Sequence, residues 1–272
     1  MKLLTAILSA FALATALAAP ADEPQSAEPQ AAEQAPAPRP IHSEYSLEIG
    51  GAAKRATYLS PLSYSGAEFA VAGYWWKRLP FAPERAVMAF DARIAGSLRL
   101  LNPAQTASMQ SIAAELAWNM SARWDFAQGW HIAVGGGPEV AAGAQAVMRN
   151  SNNPVAVDMS AALAATIEAG LATRVGRRPL DVTLRMRSPL AGAFFMPGYT
   201  ETFYEIWLGN RSGLAHFGWP GNHQRLNAHL QATLSLGRYG LGVGYRLLAD
   251  RFTANHLLTR SVTHAATLTL TH

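Results

Sequence analysis

Cysteine is absent from this chain of 272 residues. That excludes disulfides, cysteine-ligated metals and the lipid-modified cysteine of a bacterial lipoprotein. Charge is scarce: Asp, Glu, Lys and Arg make up 15% of the residues, against 50% hydrophobic. So little charge is unusual for a water-soluble enzyme. Long hydrophobic runs are scarce too. The apolar run Leu3–Leu17 falls short of the ~20 residues a spanning helix needs, and the near-zero average hydropathy is too mild for a bundle of membrane helices. No Gly-x-Ser-x-Gly elbow and no His-Glu-x-x-His motif occurs, so no nucleophile or metal site declares itself. Gly135-Gly136-Gly137 lies within a strand pattern, not before a helix. It is therefore read as bending a strand or making room, not as a nucleotide loop. The formal charge of +4 is slight and gives no nucleic-acid signal. No cofactor and no metal is expected.

The beginning of the chain carries an address. Met1-Lys2 supplies a short basic end, Leu3–Leu17 the apolar run, and Ala16-Leu17-Ala18 a small-x-small cleavage pattern. Residues 1–18 are read as a signal peptide cut after Ala18. Residues 19–43 follow as a linker rich in Pro, Ala, Glu and Gln, with too little apolar surface to offset its ordering entropy.

From Glu44 the dominant period is two. In the run from Leu226 to Leu236, Leu226, Ala228, Leu230, Ala232, Leu234 and Leu236 share one face, and Asn227, His229, Gln231, Thr233 and Ser235 the other. A strand separates these sets cleanly; a helix scatters them. The alternation recurs over Ile112–Phe126, Val157–Thr173, Ala86–Leu100, Val182–Met186 and Tyr239–Leu247. It continues through the alanine-rich stretch Ala161–Ala172, where propensity alone favours helix. Several runs exceed the ~9–11 residues of a tilted membrane-crossing strand. The spacing predicts ten strands: Glu44–Arg55, Glu68–Lys77, Arg85–Leu100, Gln110–Phe126, Trp130–Val147, Val157–Thr173, Leu180–Ser188, Arg225–Leu236, Tyr239–Leu248 and Leu257–Leu270. An extra hairpin around Tyr204–Gly209 would make twelve. The expected fold is all-β, a transmembrane antiparallel up-and-down β-barrel over residues 44–272.

Tight turns at Ala127-Gly129, Val175-Arg178 and Gly237-Arg238 alternate with longer loops at 57–66, 102–108, 147–154, 189–222 and 250–255. Outer-membrane barrels have short periplasmic turns and longer external loops. The expected location is therefore the outer membrane of a Gram-negative bacterium, with both barrel ends periplasmic. The expected partners are outer-membrane lipid and the barrel-assembly machinery. Trp75, Trp76, Trp124, Phe126, Trp130 and Tyr239 sit near the short turns, as an interfacial girdle does.

The polar faces carry Glu44, Glu48, Glu68, Asp91, Glu115, Asp125, Asp158, Glu168 and Asp181, and also Arg85, Arg93, Arg99, Arg123, Arg174, Arg185, Arg187 and Arg246. A lumen little wider than that of an eight-stranded barrel is one that side chains fill. Such charges are expected to pair and plug it, which argues against a general diffusion pore.

Five segments carry a family likeness: Ser63-Tyr64-Ser65-Gly66, Arg149-Asn150-Ser151-Asn152-Asn153-Pro154, Phe203-Tyr204-Glu205-Ile206-Trp207-Leu208-Gly209-Asn210, Ser212-Gly213-Leu214-Ala215-His216 and Gly218-Trp219-Pro220-Gly221-Asn222. With these the chain resembles an uncharacterised exported family, domain of unknown function 3316, from about Glu44 onward. The resemblance implies an outer-membrane location and no established activity. The ending Thr269-Leu270-Thr271-His272 departs from the terminal aromatic of many barrels.

Residues 188–224 are the best functional candidate. This segment of 37 residues holds Phe194, Phe195, Tyr199, Phe203, Tyr204, Trp207, Phe217 and Trp219, and structureless loops beyond ~12–15 residues are usually functional or disordered. Tyr199, Tyr204, Glu205, Trp207, Asn210, Arg211, His216, Trp219 and His223 are the candidate ligand or partner surface. The segment serves as a lid over the barrel, a ligand or partner site, or a catalytic site in which His216, His223 or His256 meets Ser212, Glu205 or Asp250. A closed structural or partner-binding barrel, a barrel enzyme acting on envelope lipid or peptide, and a narrow solute channel all remain open at this point.

Overall fold

A computed structural model describes residues 41–272 other than 83, 151–152, 200 and 210–212. The expected signal peptide, most of the linker, and Asn210, Arg211 and Ser212 lie outside the described residues. The strands are β1 (His42–Ala56), β2 (Tyr64–Arg78), β3 (Ala86–Leu101), β4 (Ser108–Asp125), β5 (Trp130–Ala146), β6 (Val155–Val175), β7 (Arg178–Phe195), β8 (Ala215–Gly218), β9 (His223–Leu236), β10 (Tyr239–Ala254) and β11 (Leu257–Thr271), with one helical turn, α1 (Phe203–Trp207). Sequential antiparallel pairing runs from β1 to β7, continues through β9, β10 and β11, and returns to β1. Ten strands thus close a barrel, and the short β8 adds to the upper part of β7.

The alternation in sequence becomes an inside and an outside. Leu47, Ile49, Phe69, Val71, Ile94, Ile132, Ile167, Val243 and Leu268 are exposed on the outer face. Glu48, Glu68, Asp91, Arg93, Glu115 and Arg246 are buried within. In the alanine-rich β6 the buried Ser160 and the inward Glu168 keep the period of two. Tertiary pairing overrides helix propensity there. At one end three of the four connections are short, Gly176-Arg177, Gly237-Arg238 and a single 3-10 turn at Ala127–Gly129, and the fourth is the seven residues 79–85. We call this the hairpin end, and the opposite end, which carries residues 57–63, 102–107, 147–154 and 196–222 and one tight turn at 255–256, the loop end.

Four expectations change. β10 runs on to Ala254, so 250–254 is strand, and Asn255-His256 is a two-residue turn with φ of 50° and 60°, as a type I′ hairpin turn requires. β7 runs to Phe195, because a bulge at Leu190 shifts its parity and turns Phe194 inward. Residues 203–207 form a helical turn, not a hairpin, so the count stays at ten. A bulge between Ser97 and Leu100 turns Arg99 out to solvent, away from the lumen assigned to it.

At the hairpin end Tyr45, Trp75 and Phe90 pack on the outer face, Trp75 lying 5.8 Å from Tyr45 and 5.7 Å from Phe90 between ring centres. Trp124, Phe126 and Tyr239 are exposed at the same end. Trp76 is the exception among the expected girdle residues. It points into the lumen, stacked on His42 at 4.1 Å.

The three consecutive glycines of β5 have a steric reason. A Cβ on Gly135 would stand 2.0 Å from the Met120 carbonyl oxygen, on Gly136 2.4 Å from that of Ala164, and on Gly137 2.1 Å from that of Trp118. Gly135→Ala is expected to destabilise the barrel by at least about 1–3 kcal/mol, since backbone rather than a flexible side chain must move. The measurement is the fraction of refolded chain whose gel mobility shifts on boiling. An unchanged fraction would refute it.

Candidate functional site

The lumen is crossed by ion pairs in three tiers. Nearest the hairpin end, the Arg185 guanidinium donates to Glu44 (Nη1 to Oε2, 2.9 Å) and to Glu168 (3.1 Å), and lies 3.9 Å from the centre of the Tyr74 ring. His131 stands 3.2 Å from Glu168. In the middle tier Arg93 donates to Glu48 (2.9 Å) and Glu68 (3.4 Å) and lies 3.7 Å from Glu115. Arg246 lies 2.7 Å from Glu48, and Arg187 bonds Glu139 at 2.8 Å. Toward the loop end Lys54 pairs with Glu68 at 2.6 Å, and Arg225 with Glu115 at 2.7 Å and Asp250 at 3.6 Å.

Glu48, Glu68 and Glu115 each face more than one cation. Glu115 has Arg93, Arg187 and Arg225 around it. Such sharing offsets the desolvation of charges taken out of water, which an isolated buried pair often fails to do. Of the residues expected inside, Asp91, Arg93, Glu115, Glu168, Arg185, Arg187 and Arg246 belong to this network. Arg123 also faces inward, but it bonds Asp125 of its own strand at 2.8 Å, at the barrel's hairpin mouth. Lys54, Glu139, Arg225 and Asp250 belong to the network and were not expected. Lys54 and Arg225 keep the inward parity of Glu48 and Asn227 and extend patterns cut short at their ends. Asp250 lies where the spacing predicts a loop but β10 continues. Glu139 follows three glycines and a proline that hide the alternation.

Above the ion pairs sits an apolar cap. Ala56, Tyr58, Leu59, Tyr64, Leu100, Met109, Val147, Phe194, Met196, Phe252 and Leu257 form one buried cluster. Phe252 stacks on the His223 ring at 4.4 Å and lies 5.2 Å from Phe194. The loops tie down over it. The Tyr58 hydroxyl donates to the Glu201 carbonyl (2.7 Å), Asn150 to the Leu59 carbonyl (3.2 Å) and Asn255 to the Met196 carbonyl (3.0 Å). Burial, reinforced by the Glu201 and Glu205 carboxylates, holds the Tyr58 hydroxyl above its ordinary pKa. Two small cavities lie in the lumen, about 60 Å³ beside Tyr74 and Glu168 and about 70 Å³ beside Asp158 and Arg225.

The candidate loop residues do not converge. Tyr204 and Trp207 stack at 6.4 Å on α1, and both are exposed, Trp207 at 77%. Glu205 is spent on a capping box with Thr202. Tyr199 and Trp219 are exposed. His216 stands 2.9 Å from the Met196 carbonyl. His223, expected at the rim, is 2% exposed and points inward, 3.8 Å from Asp250. It is the first residue of β9, and Phe252 covers it. Asn210 and Arg211 are outside the described residues. The segment Trp219-Pro220-Gly221-Asn222 is the excursion that joins β8 to β9. Asn222 closes it, accepting from the Trp219 amide (2.9 Å) and donating to the Phe217 carbonyl (2.9 Å).

The cap and its ties use residues of the segments that carried the family likeness: Tyr64, Asn150, His216 and Asn222. The family model described as "Protein of unknown function (DUF3316)" matches residues 3–272. The chain belongs to the DUF3316 family. The match extends further toward the first residue than the sequence motifs alone indicated. No curated protein matches the chain in sequence. Among solved structures, the outer membrane protease OmpT from Escherichia coli aligns with this DUF3316 barrel at a TM-score of 0.51 and 9% identity, over 85% of this chain and 96% of that one. The β domain of the Bordetella autotransporter BrkA aligns at a TM-score of 0.33 and 11% identity, over 85% and 98%. The likeness to OmpT establishes the fold as an outer-membrane-type barrel, and nothing about chemistry follows from it.

Proposed function

We propose that this chain is a closed outer-membrane barrel that serves a structural or partner-binding role through its loop end and passes no solute. The observation that carries the reading is the middle tier of ion pairs, in which Arg93 alone engages Glu48, Glu68 and Glu115. A permeation path needs water-lined continuity, whereas here charges neutralise one another across the bore beneath an apolar cap. The orientation proposed puts the long loops outside and the hairpin turns in the periplasm, following the length rule for such barrels. Tyr204, Trp207, Phe217 and Trp219 would then be the outward-facing contact residues.

The test is reconstitution of the refolded protein into a planar bilayer. The expected record is flat, without unitary steps, at voltages where porins conduct. Reproducible steps would overturn the closed reading. Fractionation with gel mobility before and after boiling tests the location. A soluble periplasmic protein without a shift would remove the membrane assignment.

A further inference from the structure

Three arginines stand side by side on the outer wall. Arg55 of β1 is the register partner of Arg260 of β11, and Arg260 is the partner of Arg251 of β10. All three have outward parity, and Arg251 and Arg260 are exposed. Like charges directly opposite on neighbouring strands are destabilising. Among the described residues no carboxylate comes within ion-pairing distance of any of them. Arg251 reaches only Gln224, at 3.5 Å. The Nε of Arg55 is buried without a hydrogen-bond partner. By contrast, every arginine of the lumen network has its acid.

The height of this row tells what meets it. Immediately below, toward the hairpin end, the outward register partners are Ala53, Val262 and Ala249, and beneath those Gly51, the exposed His264 and Leu247. Three rows further down they are Tyr45, Leu270 and Leu241, at the level of the Trp75 girdle. A rise of ~3.4 Å per residue and a strand tilt of about 40° put the arginine row about 25 Å above Tyr45, the height of the apolar band of such barrels. The row therefore sits at the opposite headgroup level from the aromatic girdle.

We propose that Arg55, Arg260 and Arg251 form a binding site for the phosphate of an anionic membrane lipid, whose acyl chains lie along the apolar wall beneath. Guanidinium groups bond phosphate oxygens in forks, and a phosphate shared among three of them removes their mutual repulsion. The apolar wall directly below favours a lipid over free phosphate. The inference rests on the membrane reading above.

The test uses native mass spectrometry of the refolded chain released from micelles holding equal amounts of phosphatidylglycerol and phosphatidylcholine. The wild type is expected to retain phosphatidylglycerol with a preference of about tenfold or more, on the scale of arginine–anionic lipid attraction. The triple variant Arg55→Gln, Arg251→Gln, Arg260→Gln is expected to lose that preference while still shifting on boiling, because its changes face outward. A control with Arg174→Gln, Arg177→Gln and Arg178→Gln at the hairpin end is expected to keep it. Retained preference in the first variant, or equal loss in both, would overturn the inference. So would displacement of the lipid by inorganic phosphate alone, which marks a free-anion site. A chain that never enters micelles or bilayers as a boiling-sensitive barrel would instead sink the membrane reading itself.

Discussion

Arg93→Ala is expected to cost the folded barrel about 3–5 kcal/mol, the range for removing one member of a buried ion network. Its side chain is 2% exposed, and it contacts Glu48, Glu68 and Glu115. Those carboxylates keep Arg246, Lys54 and Arg225 respectively. None is left alone, but the middle of the lumen then holds uncompensated negative charge in a space that water enters poorly. The measurement is the urea midpoint for loss of the boiling-sensitive band. Arg93→Ala combined with Glu48→Gln is expected to recover part of the loss, because one fewer carboxylate must be neutralised. If the single variant keeps the wild-type midpoint, the network does not hold the barrel closed.

Phe252→Ala is expected to cost about 3–5 kcal/mol, the range for emptying a packed aromatic site. Phe252 of β10 is buried against His223 of β9 and Phe194 of β7. Its loss also uncovers the His223 ring. Carbethoxylation of His223, which the stacked ring blocks in the wild type, is therefore expected to become fast in the variant, read by mass spectrometry of the modified peptide. Tyr204→Ala on α1 is the contrast. Its ring is exposed, so stability is expected to move by no more than about 0.5 kcal/mol. Equal modification of His223 in wild type and variant would show that the cap does not seal the lumen.

The barrel itself was legible because a wall with an apolar outer face and a charged bore imposes a strict sequence pattern, apolar out and polar in at every second residue. The long runs of β4, β6 and β9 carried it plainly. What was hidden was wherever that parity breaks. The bulges at Leu190 and at Leu98-Arg99 reverse the facing of everything beyond them. So Phe194 reads as loop yet caps the lumen, and Arg99 reads as lumen yet points out. Gly135–Gly137 and Pro138 leave Glu139 without neighbours to show its parity. The loop-end residues were hardest. His223 and Tyr204 are both polar-edged rings in one aromatic-rich stretch, and only the three-dimensional path sends one beneath the cap and the other into solvent. The arginine row was invisible for another reason: cross-strand register joins residues that no local window contains.

The seam between β1 and β11 has a consequence for biogenesis. It joins Ser46 to Thr269, 223 positions apart, by a hydroxyl–hydroxyl bond, and Ser43 to His272 through the backbone. Contacts this distant in sequence form late. Until the last hairpin is in place, the β1 edge carries unpaired peptide groups beside a row of greasy side chains, the combination that templates aggregation. A chain stopped before β11 leaves that edge bare, so closure waits on the last strand to be made.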